Sequence, residues 1–507
     1  MKRASKVKNY PPLPKEAKEN TEYLASMPRD LVKELQAFVF DMDGNTAKIA
    51  AVDPSNSGLK KYIADNFNEV HLYKAEKKDI EYMLKKHPAD FVDEIEKILT
   101  RDENPTNGNL AEIVDMIISY SFIRRASDIH IEPRRNDIAV RFRVDGTLRE
   151  VLTLPKSMLQ SLVARFKIMA NLKIDEHRRP QDGRLEPEEF PETSLRISIV
   201  PTLFGEKIAL RILNDTSKSM SLQELGFSEE ERDILVENIR KPHGLIVTSG
   251  PTGSGKTTTL YSILQQMEKD DLNVSTLEDP IEYTLPGVNQ IQINPRIDLT
   301  FASGLRSLLR QDPDIMMVGE IRDSETAFMA ANAAMTGHLV LTTIHTNDAA
   351  SVFSRFMEMK VEDFVVASTV NLVIAQRLVR RICRNCSTKT KLDPVVLDKI
   401  KERSDILEVL NKNHGFSAKA LKEKKFSHGK GCDVCLSSGY EGRVGIFEFI
   451  VPNKKIRDLI LSQGSTDDVR AAADELGFRT MLTDGIAKVI EGETTFEEVM
   501  RTTKPIN

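Results

Sequence analysis

The chain has 507 residues, 40% apolar and 29% charged, with a net charge of -5 at neutral pH. That length calls for two to four domains rather than one core, and that mixture excludes a disordered or fibrous protein. No run approaches the roughly 20 apolar residues of a membrane helix, the opening MKRASKVKNYPPLPKEAKEN lacks the apolar centre of a secretory signal, and the balanced charge leaves no basic footprint for nucleic acid.

In chain order, residues 1–30 are rich in Lys, Glu and Pro and are expected to form a flexible leader. AFVFDMDGNTAKIAAVD reads as two short strands turning at Asp43-Gly44. A helix over 57–66, a strand over 69–73 and a helix over 75–86 complete a small α/β module, placed at 31–100. The polar stretch 102–109 reads as a linker. A second module, 108–215, opens with a helix over 110–125. It continues through AVRFRVDG, LRISIVPT and KIALRIL, with turns at Asp145-Gly146 and Asp182-Gly183. DTSKSMSLQELG is a further linker. From about Phe227 to Val451, short apolar runs such as GLIVTSG, STLEDP, IMMVGE and HLVLTTIH alternate with helical stretches, the pattern of a doubly wound, mostly parallel sheet. Residues 454–502 read as helices.

The run Gly250-Pro251-Thr252-Gly253-Ser254-Gly255-Lys256-Thr257-Thr258 fits the phosphate-loop pattern. Its glycines let backbone N–H groups converge on phosphate oxygens. Lys256 supplies positive charge to the β- and γ-phosphates of ATP, and the Thr257 hydroxyl can ligate Mg²⁺. LIVTS before the loop reads as a strand and TTTLYSILQQMEK after it as a helix, whose N-terminus favours anions. IMMVGE then carries an acid, Glu320, to the sheet edge where ligands bind, and Glu320 can polarise the attacking water or hold Mg²⁺ through water. Glu278-Asp279-Pro280-Ile281-Glu282 follows another short strand, and Glu278 is the expected metal-side acid. His338 and His345 flank LVLTTI and should sit at its opposite ends; His345 is the candidate γ-phosphate sensor.

The only four cysteines form two CxxC pairs, Cys383/Cys386 and Cys432/Cys435, which supply four thiolates for a structural, tetrahedral Zn²⁺. Their separation is unusual: 45 residues lie between Cys386 and Cys432, in a helical-looking, Lys-rich insert.

Taken together, GPTGSGKTTTLYS, TLEDPIEY, LRSLLRQDPDIMMVGEIRD and TGHLVLTTIHTNDA resemble the motifs of the ATPases that drive type II secretion and type IV pilus assembly. ASDIHIEP, VRFRVDG, RRPQDGR and GEKIALRIL extend the resemblance through the second module, from about Leu110 to Glu448. It implies a PAS-like α+β domain at 108–215 and a RecA-like motor domain at 227–507. The motor domain would include a zinc subdomain, 383–435. The resemblance further implies a cytoplasmic homohexamer, with ATP between the two domains of each subunit. Arg196 and Arg211 would be the charge-stabilising arginines, ahead of Arg141, Arg143 and Arg184. An arginine finger is worth about 10³–10⁵ in rate. The cysteine pairs match the tetracysteine element of assembly-type members. Retraction motors lack that element and the extra N-terminal module, so an assembly or secretion motor is implied. The module would dock on an inner-membrane platform protein or its cytoplasmic adaptor, holding the ATPase at the inner face of the plasma membrane. The paired arginine- and leucine-rich motifs by which some relatives bind a cyclic dinucleotide are not seen. Two rival readings fit less well: a nucleic-acid translocase on a RecA-like core, against which the near-neutral charge and the lack of an aromatic stacking pattern argue, and a non-hydrolysing nucleotide-dependent scaffold, which would need a missing catalytic acid or arginine finger.

Overall fold

A computed structural model of the chain describes residues 10–503, except 15–16, 18–22, 25–26, 28, 44–45, 68, 86–90, 102–106, 188–192, 215–219, 268, 270, 433 and 436. Much of the expected leader, the turn at Gly44 and the first five residues of each expected linker lie outside the described residues. The chain divides into two compact units: residues 1–215 with 431–438, and residues 216–430 with 439–507.

The first unit contains two sheets. In the smaller one, Ala37–Asp43 runs antiparallel to Thr46–Ala51, which is parallel to Glu69–Lys74. A parallel pair needs a crossover, and helix Ser57–Asn66 supplies it, capped by the Asn56 side chain accepting from the N–H groups of Gly58 and Leu59. Phe38, Val39, Ile49, Leu59, Ile80 and Met83 close a core of their own. A helix the sequence reading did not single out, Phe91–Arg101, sends Phe91 and Ile95 into the core of the following module instead. The packing boundary therefore falls before residue 91 rather than near 100.

The larger sheet has six strands, every neighbouring pair antiparallel. Its order is Thr147–Pro155, Asp137–Val144, Ala126–Pro133, Gly205–Asn214, Thr193–Thr202, Gln181–Leu185. Helices Asn107–Ile123 and Leu159–Met169 pack on its apolar face, over Ile129, Val140, Phe142, Leu195, Ile197 and Leu210. Strand alternation sends the polar residues to the opposite face. Cross-strand register lines up Arg184, Arg196, Arg211, Asp128 and Arg143 in one row across five strands.

The second unit is built on a seven-stranded sheet. Its order is Asn289–Gln292, Val274–Glu278, Ile315–Val318, Leu339–Ile344, Gly244–Ser249, Val370–Ile382, Tyr440–Ile450. The first six are parallel and the last is antiparallel. Both faces are buried. Leu245, Val247, Met316 and Val318 enter one core, while Ile246, Ile315 and Met317 enter the other. That two-sided burial is why these strands read as continuous apolar runs. This is the doubly wound α/β architecture expected of the motor domain. Helices Lys454–Leu461, Thr466–Glu475, Met481–Glu491 and Phe496–Thr502 follow, as the C-terminal pattern indicates.

The long insert between the cysteine pairs contains helices Pro394–Glu402, Ser404–His414 and Ala418–Glu423. Ser387–Lys391 pairs antiparallel with Lys425–Gly429, and the Lys430 N–H donates to the Cys386 carbonyl at 3.0 Å. The ribbon closes the loop, so its length does not keep the cysteines apart. Ile400, Ile406 and Leu410 pack with Ile486, Val489 and Phe496 of the C-terminal helices.

Candidate active site

The strand Gly244–Ser249 delivers the phosphate loop to the C-terminal edge of the parallel sheet, and helix Lys256–Gln266 leaves it. Gly250, Gly253 and Gly255 have φ of 146°, 78° and 89°, the region that side chains avoid. The Lys256 ammonium folds onto its own loop, donating to the carbonyls of Gly250 at 2.8 Å and Pro251 at 3.1 Å. Burial pulls its pKa below the ordinary lysine value, and the negative charge of Glu320 opposes that shift. Ser254 is buried, while Thr257 and Thr258 keep partial exposure on the first turn of the helix.

Glu320 sits just beyond the strand Ile315–Val318, which is separated from Gly244–Ser249 by Leu339–Ile344. The approach is pinned by hydroxyl donors: Thr342 to the Val318 carbonyl at 2.8 Å and Thr343 to the Gly319 carbonyl at 2.7 Å. Glu320 Oε2 lies 2.6 Å from Arg322 Nε and 3.5 Å from His345 Nε2. His345 and Glu320 therefore meet at one sheet edge. His338 lies at the other end of Leu339–Ile344, its Nδ1 3.0 Å from the Ala333 carbonyl.

Glu278 occupies a different environment from the one expected of a metal-side acid. It is 2% exposed. Its oxygens accept from the Tyr261 hydroxyl, from Thr276 Oγ1 at 2.6 Å and from Gln290 Nε2 at 3.0 Å. Burial and the adjacent carboxylate raise the Tyr261 pKa well above the ordinary phenol value, keeping it a donor. Glu278 thus ties the loop helix, through Tyr261, to the strands beside it. Asp279 and Glu282 are the exposed acids of that segment.

In the first unit, Arg196 is exposed and has no ion pair among the described residues. Arg211 pairs with Asp128 at 3.1 Å and Arg143 with the same acid at 3.4 Å. Arg141 pairs with Glu132 at 3.1 Å, and Arg184 donates to Ser194 Oγ at 2.7 Å.

The four cysteine sulfurs lie within 4.8 Å of one another, and none is in a disulfide. The Cys432 and Cys435 sulfurs are 3.7 Å apart. A tetrahedral ion with metal–sulfur bonds of about 2.3 Å separates its sulfurs by about 3.8 Å. Cys383 and Cys435 are buried, and the Cys432 N–H donates to Cys435 Sγ at 3.2 Å. The donor set fits a structural metal site.

Sequence reasoning passed over Gln376, Tyr261, Gln290 and Arg322. Gln376 is buried on Val370–Ile382 directly behind the phosphate loop, donating to the Ser254 carbonyl at 2.5 Å and accepting from Thr259 Oγ1 at 2.8 Å. Its signal was an amide that, with Asn371, interrupts the apolar run VNLVIAQ. Tyr261 and Gln290 gave no such signal, because their partner Glu278 comes from a separate strand.

A phosphate loop and an acid–histidine pair thus stand together at the C-terminal edge of a doubly wound sheet. The chain belongs to the type II/IV secretion system protein family, whose model matches residues 103–501, and residues 12–92 match the MshEN domain. It is 39% identical over 500 residues to the type IV pilus assembly ATPase PilB of Thermus thermophilus. That match covers 94% of this chain and 54% of the relative, so the chain spans about half of that protein's length. Identity to the PilB of Acinetobacter baylyi is 38%, over 98% of this chain and 83% of that protein. Identity to type II secretion system protein E of Pseudomonas aeruginosa is 41%, over 82% and 79%. Among solved structures, the Legionella pneumophila ATPase DotB shares the fold at a TM-score of 0.55 and 23% identity, covering 76% of this chain and 94% of that one. The pilus retraction motor PilT shares it at 0.51 and 24%, covering 77% and 96%. Among the described residues, no helix is long and apolar enough to cross a membrane.

Proposed function

We propose that this protein is a Mg²⁺-dependent ATPase motor that drives assembly of a type IV pilus or a type II secretion pseudopilus. The observation that carries the reading is the meeting of Glu320 and His345 beside the phosphate loop, in a chain whose relatives are named as pilus assembly ATPases and secretion protein E. Residues 250–258 hold the phosphates, and Thr257 would hold Mg²⁺, which supplies positive charge to the phosphate oxygens. Glu320, held between Arg322 and His345, is the acid that orients the attacking water, and His345 reads the γ-phosphate. Glu278, locked by three donors, acts by positioning. Arg196 and Arg211 stabilise phosphate charge, Arg196 being the one without an ion pair among the described residues.

The working form is a homohexamer at the cytoplasmic face of the inner membrane, attached through a platform protein or its cytoplasmic adaptor. Cys383, Cys386, Cys432 and Cys435 would hold a structural Zn²⁺, which would tie the two cysteine pairs together.

Purified full chain should release phosphate from Mg-ATP. Glu320→Gln should lower kcat by about 10²–10⁴-fold while nucleotide binding persists. If the wild type hydrolyses no ATP in any oligomeric state, and the variant holds ATP no tighter, the motor reading fails.

A further inference from the structure

The phosphate loop is shaped from behind by a residue of another strand. We propose that Gln376 is the positioning residue that aims the phosphate-binding amides of the loop. This rests on the ATP-binding reading above.

The Ser254 carbonyl and the Gly255 N–H belong to one planar trans peptide, so they point in opposite directions. Gln376 Nε2 donates to that carbonyl at 2.5 Å from the strand side. Holding the carbonyl back turns the Gly255 N–H forward, toward the open face of the loop. The other end of the amide accepts from Thr259 Oγ1 at 2.8 Å. The orientation is fixed, since the Ser254 carbonyl can only accept. Thr259 in turn donates its own N–H to the Gly255 carbonyl at 3.0 Å. One buried side chain thus spans the crown of the loop and the first turn of its helix.

The same residue explains two glycines beyond their positive φ. A Cβ on Gly255 would stand 2.9 Å from Gln376 Nε2, and one on Gly250 would stand 2.5 Å from the Gln376 carbonyl. The loop is pressed against its backing strand at both ends, so the strand sets where the amides converge. Gln376 is 2% exposed and carries no charge, so it acts through geometry alone.

Two variants of the full chain test this, read by equilibrium binding of a fluorescent ATP analogue with Mg²⁺ and by steady-state kinetics. Gln376→Met keeps the volume and removes both hydrogen bonds. It should weaken nucleotide binding about tenfold and raise KM by a similar factor, with kcat changed less. In Gln376→Glu, an ionised carboxylate repels the Ser254 carbonyl, whereas the protonated acid donates to it. Its affinity should therefore improve at least about threefold between about pH 8 and pH 6, beyond any change in the wild type. A residue that merely filled the core would give no such rescue. Binding by Gln376→Met within twofold of wild type overturns the proposal. If Gln376→Met does not fold, a pH response of Gln376→Glu identical to that of the wild type overturns it. A wild type that binds no nucleotide at all instead removes the ATP-binding reading on which the proposal stands.

Discussion

The two large sheets place their chemistry in different geometries. The seven-stranded, mostly parallel sheet is buried on both faces, so its polar groups gather where strands end, at Ser254, Glu278, Glu320 and His345. The six-stranded antiparallel sheet packs its helices on one face, so its charges form a field across the other. An edge holds a few residues in a fixed constellation. A face offers a row whose members are set by register, and one step along a strand changes the role entirely.

Residues 196 and 197 make that contrast testable in adjacent positions. Arg196→Ala should leave the melting temperature near wild type and lower kcat about 10³-fold or more, as removal of a charge-stabilising arginine does. Ile197 is fully buried on the opposite face. Ile197→Ala should cost about 2–5 kcal/mol of stability, while the folded fraction keeps its kcat. Thermal melts and phosphate-release assays on both variants separate the two. Equal loss of kcat without loss of stability in both would break the distinction between faces.

A smaller effect is expected at the cysteine cluster, which is held by its ligands more than by either sheet. Metal analysis of the native chain should find about one Zn²⁺ per chain. Cys435→Ser should lose that ion and lower the transition of the C-terminal region by about 5 °C or more. A native sample without metal, melting identically after chelation, would remove zinc from the account.

The legibility of the sequence follows the same contrast. Strands buried on both faces were readable as apolar runs, and GLIVTS, IMMV and LVLTTI fall on observed strands. LRISIVPT was readable because Leu195, Ile197 and Ile199 alternate with exposed or half-exposed residues. The phosphate loop and the cysteine pairs were legible because each is local in sequence. What stayed hidden depends on pairings between distant strands. Glu278 read as the metal-side acid, because nothing in TLEDP reveals that Tyr261 and Gln290 will reach it. The destination of Phe91 and Ile95 was equally invisible, since an amphipathic helix does not say which of two cores it covers.

The smallest effect concerns Glu448, on the one antiparallel strand of the seven-stranded sheet, where the two geometries meet. Its Oε1 accepts from the Ala349 N–H at 2.9 Å, at the start of the helix that follows the histidine-bearing loop. Burial raises its pKa to about 7, helped by nearby Asp348 and opposed by the Ala349 and Met481 N–H groups and by Arg470. The folded state then holds a proton that the unfolded chain releases near the ordinary glutamate value. Stability from this group is complete below about pH 4.5 and is lost as pH rises toward about 7, with no further change above. Glu448→Gln keeps an acceptor for Ala349 and removes the titration. The variant should therefore gain on the wild type between about pH 5 and pH 8, on the order of 1 kcal/mol after allowing for the solvent contact Glu448 retains. Glu498 acts in a separate, lower window. Burial raises its pKa, but hydrogen bonds from Arg501 and Arg380 outweigh that and hold it to about 2, so its contribution is lost only as pH falls from about 4.5 toward 2. Denaturant melts at four pH values between 5 and 8 decide the matter. Parallel curves for wild type and Glu448→Gln would mean that this carboxylate is as well solvated as those on the open face of the antiparallel sheet.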